Sequence, residues 1–380
     1  MHIENLLDRR EKMRIEEVAS VKSSKRIFAS EYVVEGIPFF RGKEITLKSK
    51  GSNVNPLFIS EQRYKEISDR FGVPEADDIF VTSVGTIGSI FQAKIQDLPF
   101  YYKDGNVTQI TDFDTDRIYP QFLKYYLESA LGQNSINEKV IGSTQQALTI
   151  NALGSVELME TSVNVQKKIV SILEPIDKKI TLNKAINDNL LELATTMFSS
   201  DFPDITNAET TIGYYINPKR GKGLLSKDAI PGSIPVIAGG LSPATYHNVA
   251  NTKAPVVTIS ASGANAGFVN IWTEPVWSSD SSFIDERISE SVYFWYVMLR
   301  KRQSEIFDLQ TGSAQPHIYP SHIESMPMKV VDIAKQLSFS KKVSPLFKKY
   351  AENIIEIEYL TKIRDTLLPK LLNGSIELGD

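Results

Sequence analysis

The chain has 380 residues, too many for one compact core, so two domains are expected. Hydrophobic residues are 42% and charged residues 23%; no apolar run reaches the ~18 residues of a membrane span, and Met1-His2-Ile3-Glu4-Asn5 does not resemble a signal peptide, which points to a cytoplasmic protein with no membrane partner. With no cysteine there are no disulfides, thiolate metal sites or cysteine nucleophile, the four histidines (His2, His247, His317, His322) nearly exclude a His-rich metal centre, and a net charge of -4 argues weakly against nucleic acid.

In chain order, residues 1–160 read as a mixed α/β domain. Basic residues cluster in loops near its start: Lys22, Lys25 and Arg26, then Arg41, Lys43, Lys48 and Lys50. Interleaved with Gly and Ser, they suit phosphate contacts, although a solvated surface explains any single lysine. An apolar strand leads into the turn Thr82-Ser83-Val84-Gly85-Thr86-Ile87-Gly88. That turn either offers hydroxyls and backbone donors to a ligand or is an ordinary hairpin. Asp104-Gly105-Asn106 reads as a tight turn, and Gln121 to Leu131 as an amphipathic helix.

Residues 161–200 predict a long helix. Ile169, Leu173, Ile176, Ile180, Asn183, Asn187, Leu190, Ala194 and Met197 alternate in steps of four and three, the signature of a coiled-coil seam. Pro175 is expected at a helix start or a kink.

Residues 201–330 form a second mixed α/β domain. It begins with the basic loop Lys219, Arg220, Lys222 and Lys227. The runs Ala254-Pro255-Val256-Val257-Thr258-Ile259 and Gly267-Phe268-Val269-Asn270-Ile271-Trp272 predict strands. Between them lies the turn Ser260-Ala261-Ser262-Gly263, in which Ser260 and Ser262 are candidate ligand contacts. Ser278-Ser279-Asp280-Ser281-Ser282 reads as a turn and Ser291 to Gln303 as a helix. Residues 331–380 give a second helix, with Phe339, Val343, Leu346, Tyr350, Asn353, Ile357, Leu360, Arg364 and Leu367 on its seam and Pro345, like Pro175, expected at a helix start or a kink. Two such helices most simply pair with each other. Asn183 and Asn353 then either meet across the pair and fix its register or face solvent.

The two halves are one unit written twice. Ile15 and Ile212, and Pro38 and Pro235, lie 197 residues apart, Gly85 and Gly263 lie 178 apart, and Gly142-Ser143-Thr144-Gln145 precedes Gly312-Ser313-Ala314-Gln315 by 170. That last offset holds through the helices, from Gln145/Gln315 to Phe198/Leu368. The first copy is therefore longer by 19 residues between Pro38 and Gly85, with Lys48 to Val73 the expected insertion. Two similar domains spaced by paired helices of about one DNA turn (~34 Å) would form a ruler for two different half-sequences.

Catalytic patterns are missing. There is no GxxxxGK[ST], no GxGxxG after a strand, no HExxH and no Asn/Asp-Pro-Pro-aromatic tetrapeptide. Pro203-Asp204 lacks the Glu-x-Lys of a nuclease centre, and the serine-rich stretches have no companion histidine. No metal site is expected. The positive signals are for binding, against the alternatives of a stand-alone nuclease or methyltransferase and of a coiled-coil scaffold.

Three segments carry a family resemblance. Ile172-Leu173-Glu174-Pro175-Ile176-Asp177-Lys178-Lys179-Ile180, continuing to Leu190, resembles the central conserved helix of the specificity subunit of type I restriction–modification systems. Leu367-Leu368-Pro369-Lys370-Leu371-Leu372-Asn373-Gly374-Ser375-Ile376 is similar to the end of its second conserved helix. Gly312-Ser313-Ala314-Gln315-Pro316-His317-Ile318 is similar to the motif closing a target recognition domain; the first copy has Gln146-Ala147-Leu148 at its end instead. The resemblance implies an α/β (α+β) chain with two target recognition domains in pseudo-twofold arrangement and an antiparallel pair of helices. It implies a non-catalytic subunit that binds double-stranded DNA, two modification subunits and ATP-dependent restriction subunits. S-adenosylmethionine, ATP and Mg would act on those partners, with no cofactor in this chain.

Overall fold

A computed structural model describes residues 12–52, 54–142, 145–312, 315–376 and 378. Ser143, Thr144, Ser313 and Ala314 of the repeated Gly-Ser motifs, and the N-terminal pentapeptide with His2, lie outside the described residues. The chain divides into two units, Met1–Thr181 with Glu358–Asp380, and Leu182–Ile357.

In the first unit the strands are β1 (Lys12–Arg14), β2 (Ser20–Ser23), β3 (Tyr32–Val33), β4 (Ile37–Phe40), β5 (Leu57–Ile59), β6 (Ile79–Thr82), β7 (Ile90–Gln92), β8 (Tyr101–Tyr102), β9 (Val107–Thr111) and β10 (Glu157–Met159). One antiparallel sheet has the order β2-β9-β6-β7, and a second the order β3-β5-β4-β8 with β4 and β8 parallel. β1 pairs with β10. All four residues of β6 are buried, because the sheet is covered on both faces. Ile79 and Val81 join Phe122, Leu123 and Tyr126 in one core, while Phe80 turns to Phe40, Phe91, Phe100 and Tyr102 in another.

Helices α1 (Gly42–Ser49) and α2 (Glu61–Phe71) flank β5. The expected insertion at Lys48–Val73 is therefore corrected: it consists of two helices, the first beginning at Gly42, and β5 between them has a counterpart in the second unit. The expected helix Gln121–Leu131 is two, α3 (Pro120–Glu128) and α4 (Ala130–Glu138). Ser129 interrupts them with an extended backbone, and its Oγ accepts the Gly132 N–H at 3.1 Å as an N-cap. After α5 (Ile150–Gly154) comes the long α6 (Val163–Asp201).

The second unit repeats the plan with β11 (Thr210–Thr211), β12 (Lys219–Arg220), β13 (Ile234–Ile237), β14 (Thr245–His247), β15 (Val256–Ser260), β16 (Val269–Trp272), β17 (Trp277–Ser278), β18 (Ser281–Asp285) and β19 (Pro327–Met328). Its sheets are β12-β18-β15-β16 and β14-β13-β17, again with one parallel pair, β13 with β17. Helices α7 (Val292–Lys301), α8 (Gln303–Asp308) and α9 (Pro320–Glu324) precede the long α10 (Ile333–Leu372).

Each unit holds part of both long helices. In the first, Ile169, Leu173, Leu368, Leu371 and Leu372 share a core, and Arg364 Nη1 lies 3.1 Å from Asp177 Oδ1. In the second, Ala194 and Phe198 pack with Phe339, Val343 and Phe347. The pairing there is antiparallel: Asn183 Nδ2 donates to Glu356 Oε2 at 2.8 Å, Asn353 Nδ2 to Asn187 Oδ1 at 2.8 Å, and Lys342 Nζ to Asp201 Oδ2 at 2.9 Å. Asn183 thus does not meet Asn353, nor does either face solvent. The register sets Asn187 opposite Asn353, and all three asparagines are buried. Of the other expected seam positions, Ile180 is buried; Ile176, Leu190, Met197, Leu346, Tyr350, Leu360 and Leu367 are half-buried. Pro175 and Pro345 begin no helix. Both lie inside one, with their rings exposed.

Candidate nucleic-acid interface

In each unit one end of the four-stranded sheet gathers the loops that carry most of the candidate residues. In the first, the C-terminal ends of β2 and β6 and the N-terminal ends of β7 and β9 lie together, since Ser23 is opposite Thr108 and Thr82 opposite Val107. The loop after β2, the Asp104-Gly105-Asn106 turn and the β6–β7 hairpin therefore converge. Ser83 N donates to Asn106 O at 2.8 Å, and Val84 bridges Ala147. The second unit does the same with the loop after β12, the Ser279-Asp280 turn and the β15–β16 hairpin, where Ser262 bridges His317.

Both hairpins turn on glycines. Gly85 and Gly88, and Gly263 and Gly267, all have φ near +80°, a conformation that strains any side chain. Behind each stands a glutamine at an offset of 170. Gln133 Nε2 donates to Gly88 O at 3.0 Å, and Gln303 Nε2 to Gly267 O at 2.8 Å. A second such pair, Gln166 and Gln336, is buried at the first turns of α6 and α10 and binds backbone carbonyls there. None of these glutamines stands out by residue type; the repeat offset is the signal that finds them.

Several expected contact residues are buried or bonded within the protein. Thr82 is buried; its hydroxyl donates to Thr86 O and accepts from Ser89 N at 2.9 Å. Ser83 is buried with its Oγ 2.6 Å from Thr108 Oγ1. Ser260 is buried under the hairpin, and Ser262 Oγ donates to Asp280 Oδ2. The hydroxyls of Thr82, Ser83 and Ser262 hold turns together, while that of Ser260 is buried without a hydrogen-bond partner. Lys22 lies on β2 with its Nζ 3.6 Å from Asp112, beyond the far end of β9, so it leaves the loop end. Lys48 pairs with Asp97 and lies 5.3 Å from the ring centres of Phe40 and Phe91.

Arg41 caps α1. Its Nη2 lies 2.7 Å from Oε1 of Glu44, whose Oε2 accepts from Arg41 N at 2.9 Å. Burial opposes ionisation of Glu44, but the hydrogen bonds and charge of Arg41 outweigh it and hold the carboxyl below its ordinary value.

The remaining candidates are exposed: Lys25, Arg26, Lys43 and Lys50 in the first unit, and Lys219, Arg220, Lys222 and Lys227 in the second. Lys50 follows the C-terminal end of α1, away from the loops. Lys25 Nζ sits 4.5 Å over the Phe71 ring. Lys222 is anchored by its backbone: its N donates to Ser278 O at 2.9 Å, and its O accepts from Trp277 Nε1 at 2.8 Å, leaving the ammonium group in solvent. Arg26 and Arg220 are each bound by the aspartate of the adjoining turn, Asp104 and Asp280. Among the described residues no cluster of three or more His, Asp or Glu could hold a metal ion, and no helix is long and apolar enough to cross a membrane.

Comparison with known proteins agrees with this doubled architecture. The family described as the type I restriction modification DNA specificity domain matches residues 8–192. A putative type I specificity subunit from Mycoplasma genitalium is 26% identical over 348 residues, covering 84% of this chain and 89% of the relative. Residues 8–192 thus match the specificity domain of type I restriction–modification systems, and the chain resembles type I specificity subunits along most of its length. The specificity subunit of a type I restriction enzyme from Methanocaldococcus jannaschii is 25% identical over 364 residues, covering 85% of this chain and 82% of its own length. The fold matches the crystal structure of the M. genitalium type I S subunit with a TM-score of 0.59 at 21% identity, over 95% of this chain and 96% of that one. What the matched region shares with that family is its DNA specificity domain.

Proposed function

We propose that this chain is a specificity subunit that reads a bipartite, asymmetric sequence in double-stranded DNA. The domain within residues 1–160 reads one half-site and that within 201–330 the other. The helical segments 161–200 and 331–380 set the spacing and dock two modification subunits, and ATP-dependent restriction subunits join that assembly in the cytoplasm. The methyl-transfer and cleavage chemistry, with its S-adenosylmethionine, ATP and Mg, belongs to those partners. Around the two loop ends, Lys25 and Lys43, and Lys219, Lys222 and Lys227, supply phosphate contacts.

The observation that carries this reading is the recurrence of one strand topology with two different sets of loop residues. A common scaffold with unlike tips is what two unlike half-sites require. The test exchanges residues 201–330 for those of another specificity subunit, co-produces the hybrid with a modification subunit, and maps methylated genomic sites. One half of the recognised sequence should change while the other half and the spacer persist. Loss or change of both halves together would refute one-domain-per-half-site reading.

A further inference from the structure

The loop end of each domain carries an arginine held by the carboxylate of the neighbouring turn. Arg26 Nε donates to Asp104 Oδ2 at 3.0 Å, and Arg220 Nη2 donates to Asp280 Oδ1 at 2.6 Å. The two arginines are not equivalent in the repeat. Arg220 is the last residue of β12, whereas Arg26 lies three residues beyond the end of β2. Nor are the aspartates: both sit in the turn before the strand, β9 or β18, that pairs with that first strand, but Asp280 aligns with Asn106, since Ala261 N donates to Asp280 O as Ser83 N does to Asn106 O. Different arginines and different aspartates therefore form the same kind of pair at the same loop end, so the pairing is not a by-product of the repeated sequence.

Asp280 is itself held, since Ser262 Oγ donates to its Oδ2; Asp104 is largely buried, with Lys103 Nζ 3.9 Å from its Oδ1 and no hydrogen bond to that oxygen. The arginine side chains stay outward, 68% exposed for Arg26 and 41% for Arg220.

Such a pair is suited to directional contacts more than to ionic ones. The carboxylate offsets the guanidinium charge and would itself be repelled by a phosphate, so the pair makes a poor phosphate anchor. Of five guanidinium N–H donors only one is spent on the aspartate, which tethers the planar fork to the turn and leaves the other donors for a ligand. A fork so held matches the O6 and N7 acceptors of guanine in the major groove. We propose that Arg26 and Arg220 are specificity-determining residues, each reading a guanine in its own domain's half-site, with Asp104 and Asp280 as their positioning residues. This rests on the DNA-reading function proposed above.

The test uses the full chain co-produced with its modification subunit. It maps methylated sites and measures binding to duplexes substituted one base pair at a time. Arg220→Ala should lower discrimination about 5- to 150-fold at one G·C pair of the second half-site, leaving the first half-site and the salt slope as they were. Arg26→Ala should do the same in the first half-site. Asp280→Asn should lose discrimination at the position that Arg220→Ala affects, although the arginine remains. A phosphate anchor freed of its counter-charge would instead bind every duplex more tightly. Exposed ion pairs contribute little to folding, so melting temperatures should hold. Should an alanine variant fail to fold, Arg220→Lys keeps the charge, loses the fork and should lose the same discrimination. Unchanged base preference at every position in folded Arg26 and Arg220 variants would overturn the proposal. Wild-type methylation without a two-part motif would instead overturn the function on which it rests.

Discussion

Gly221 separates the anchored lysine loop from a clash. A β-carbon there would lie 2.5 Å from Ser278 O, Ser278 Oγ and Ser279 O, because Gly221 N donates to Ser281 O across the start of β18. Two of the blocking groups are backbone, so the loop must move. Gly221→Ala should cost about 1–3 kcal/mol and lower the melting temperature. It should also weaken DNA binding by displacing Lys222; unchanged melting would show that the loop yields freely. Asp78 makes a different kind of residue-scale prediction. It is buried, and its Oδ2 accepts from Gln109 Nε2 at 2.5 Å and Glu75 N at 2.8 Å. Burial raises its pKa, and the hydrogen bonds, which act to lower it, do not overcome that. With the folded value above the unfolded one, its contribution to stability is full below the unfolded pKa and is lost as pH rises through the folded pKa. Asp78→Asn should therefore gain on the wild type as pH rises across the mildly acidic range. Parallel stability profiles in denaturant would contradict this.

At the scale of elements, the long helices turn on Asn187 and Asn353. Removing one partner leaves a buried amide without its hydrogen bond, which costs about 1–3 kcal/mol, whereas replacing both removes the polar demand altogether. Asn353→Leu should accordingly destabilise the chain. The double variant with Asn187→Leu should recover most of the loss, a coupling that a double-mutant cycle in urea measures. Additive losses would mean the pair makes no specific contact. The helices were legible in sequence because burial on a coiled seam repeats every three or four residues, and Ile169, Leu173, Ile180 and Ala194 advertise it. Which asparagine meets which was not, since antiparallel register depends on both helices at once. The doubled domains were also legible, through matched offsets. The interface was legible only as a region. Thr82 and Ser83 look like presented hydroxyls, but Thr82 is bonded within its own hairpin, to Thr86 and Ser89, and Ser83 to Thr108 of the neighbouring β9. Arg26 and Asp104 are separated by 78 residues and meet only because β2 pairs with β9.

For the whole molecule, the net charge of -4 conceals a local imbalance. Lys219, Lys222 and Lys227 are exposed around the second loop end, and among the described residues they form no ion pair, whereas the arginine beside them is matched by Asp280. Net charge governs long-range attraction, so the isolated subunit should bind duplex DNA weakly, with much of the affinity arising in the assembled complex. Local charge governs counterion release, at about 0.9 in the salt slope per phosphate contact. Replacing the three lysines by alanine in the complex should thus flatten the slope by up to about 2–3 and weaken all sequences alike. Titrations at several salt concentrations measure both quantities. An unchanged slope would remove this loop from the phosphate contacts. A slope that flattens while base preference persists would separate the charge that grips DNA from the residues that read it.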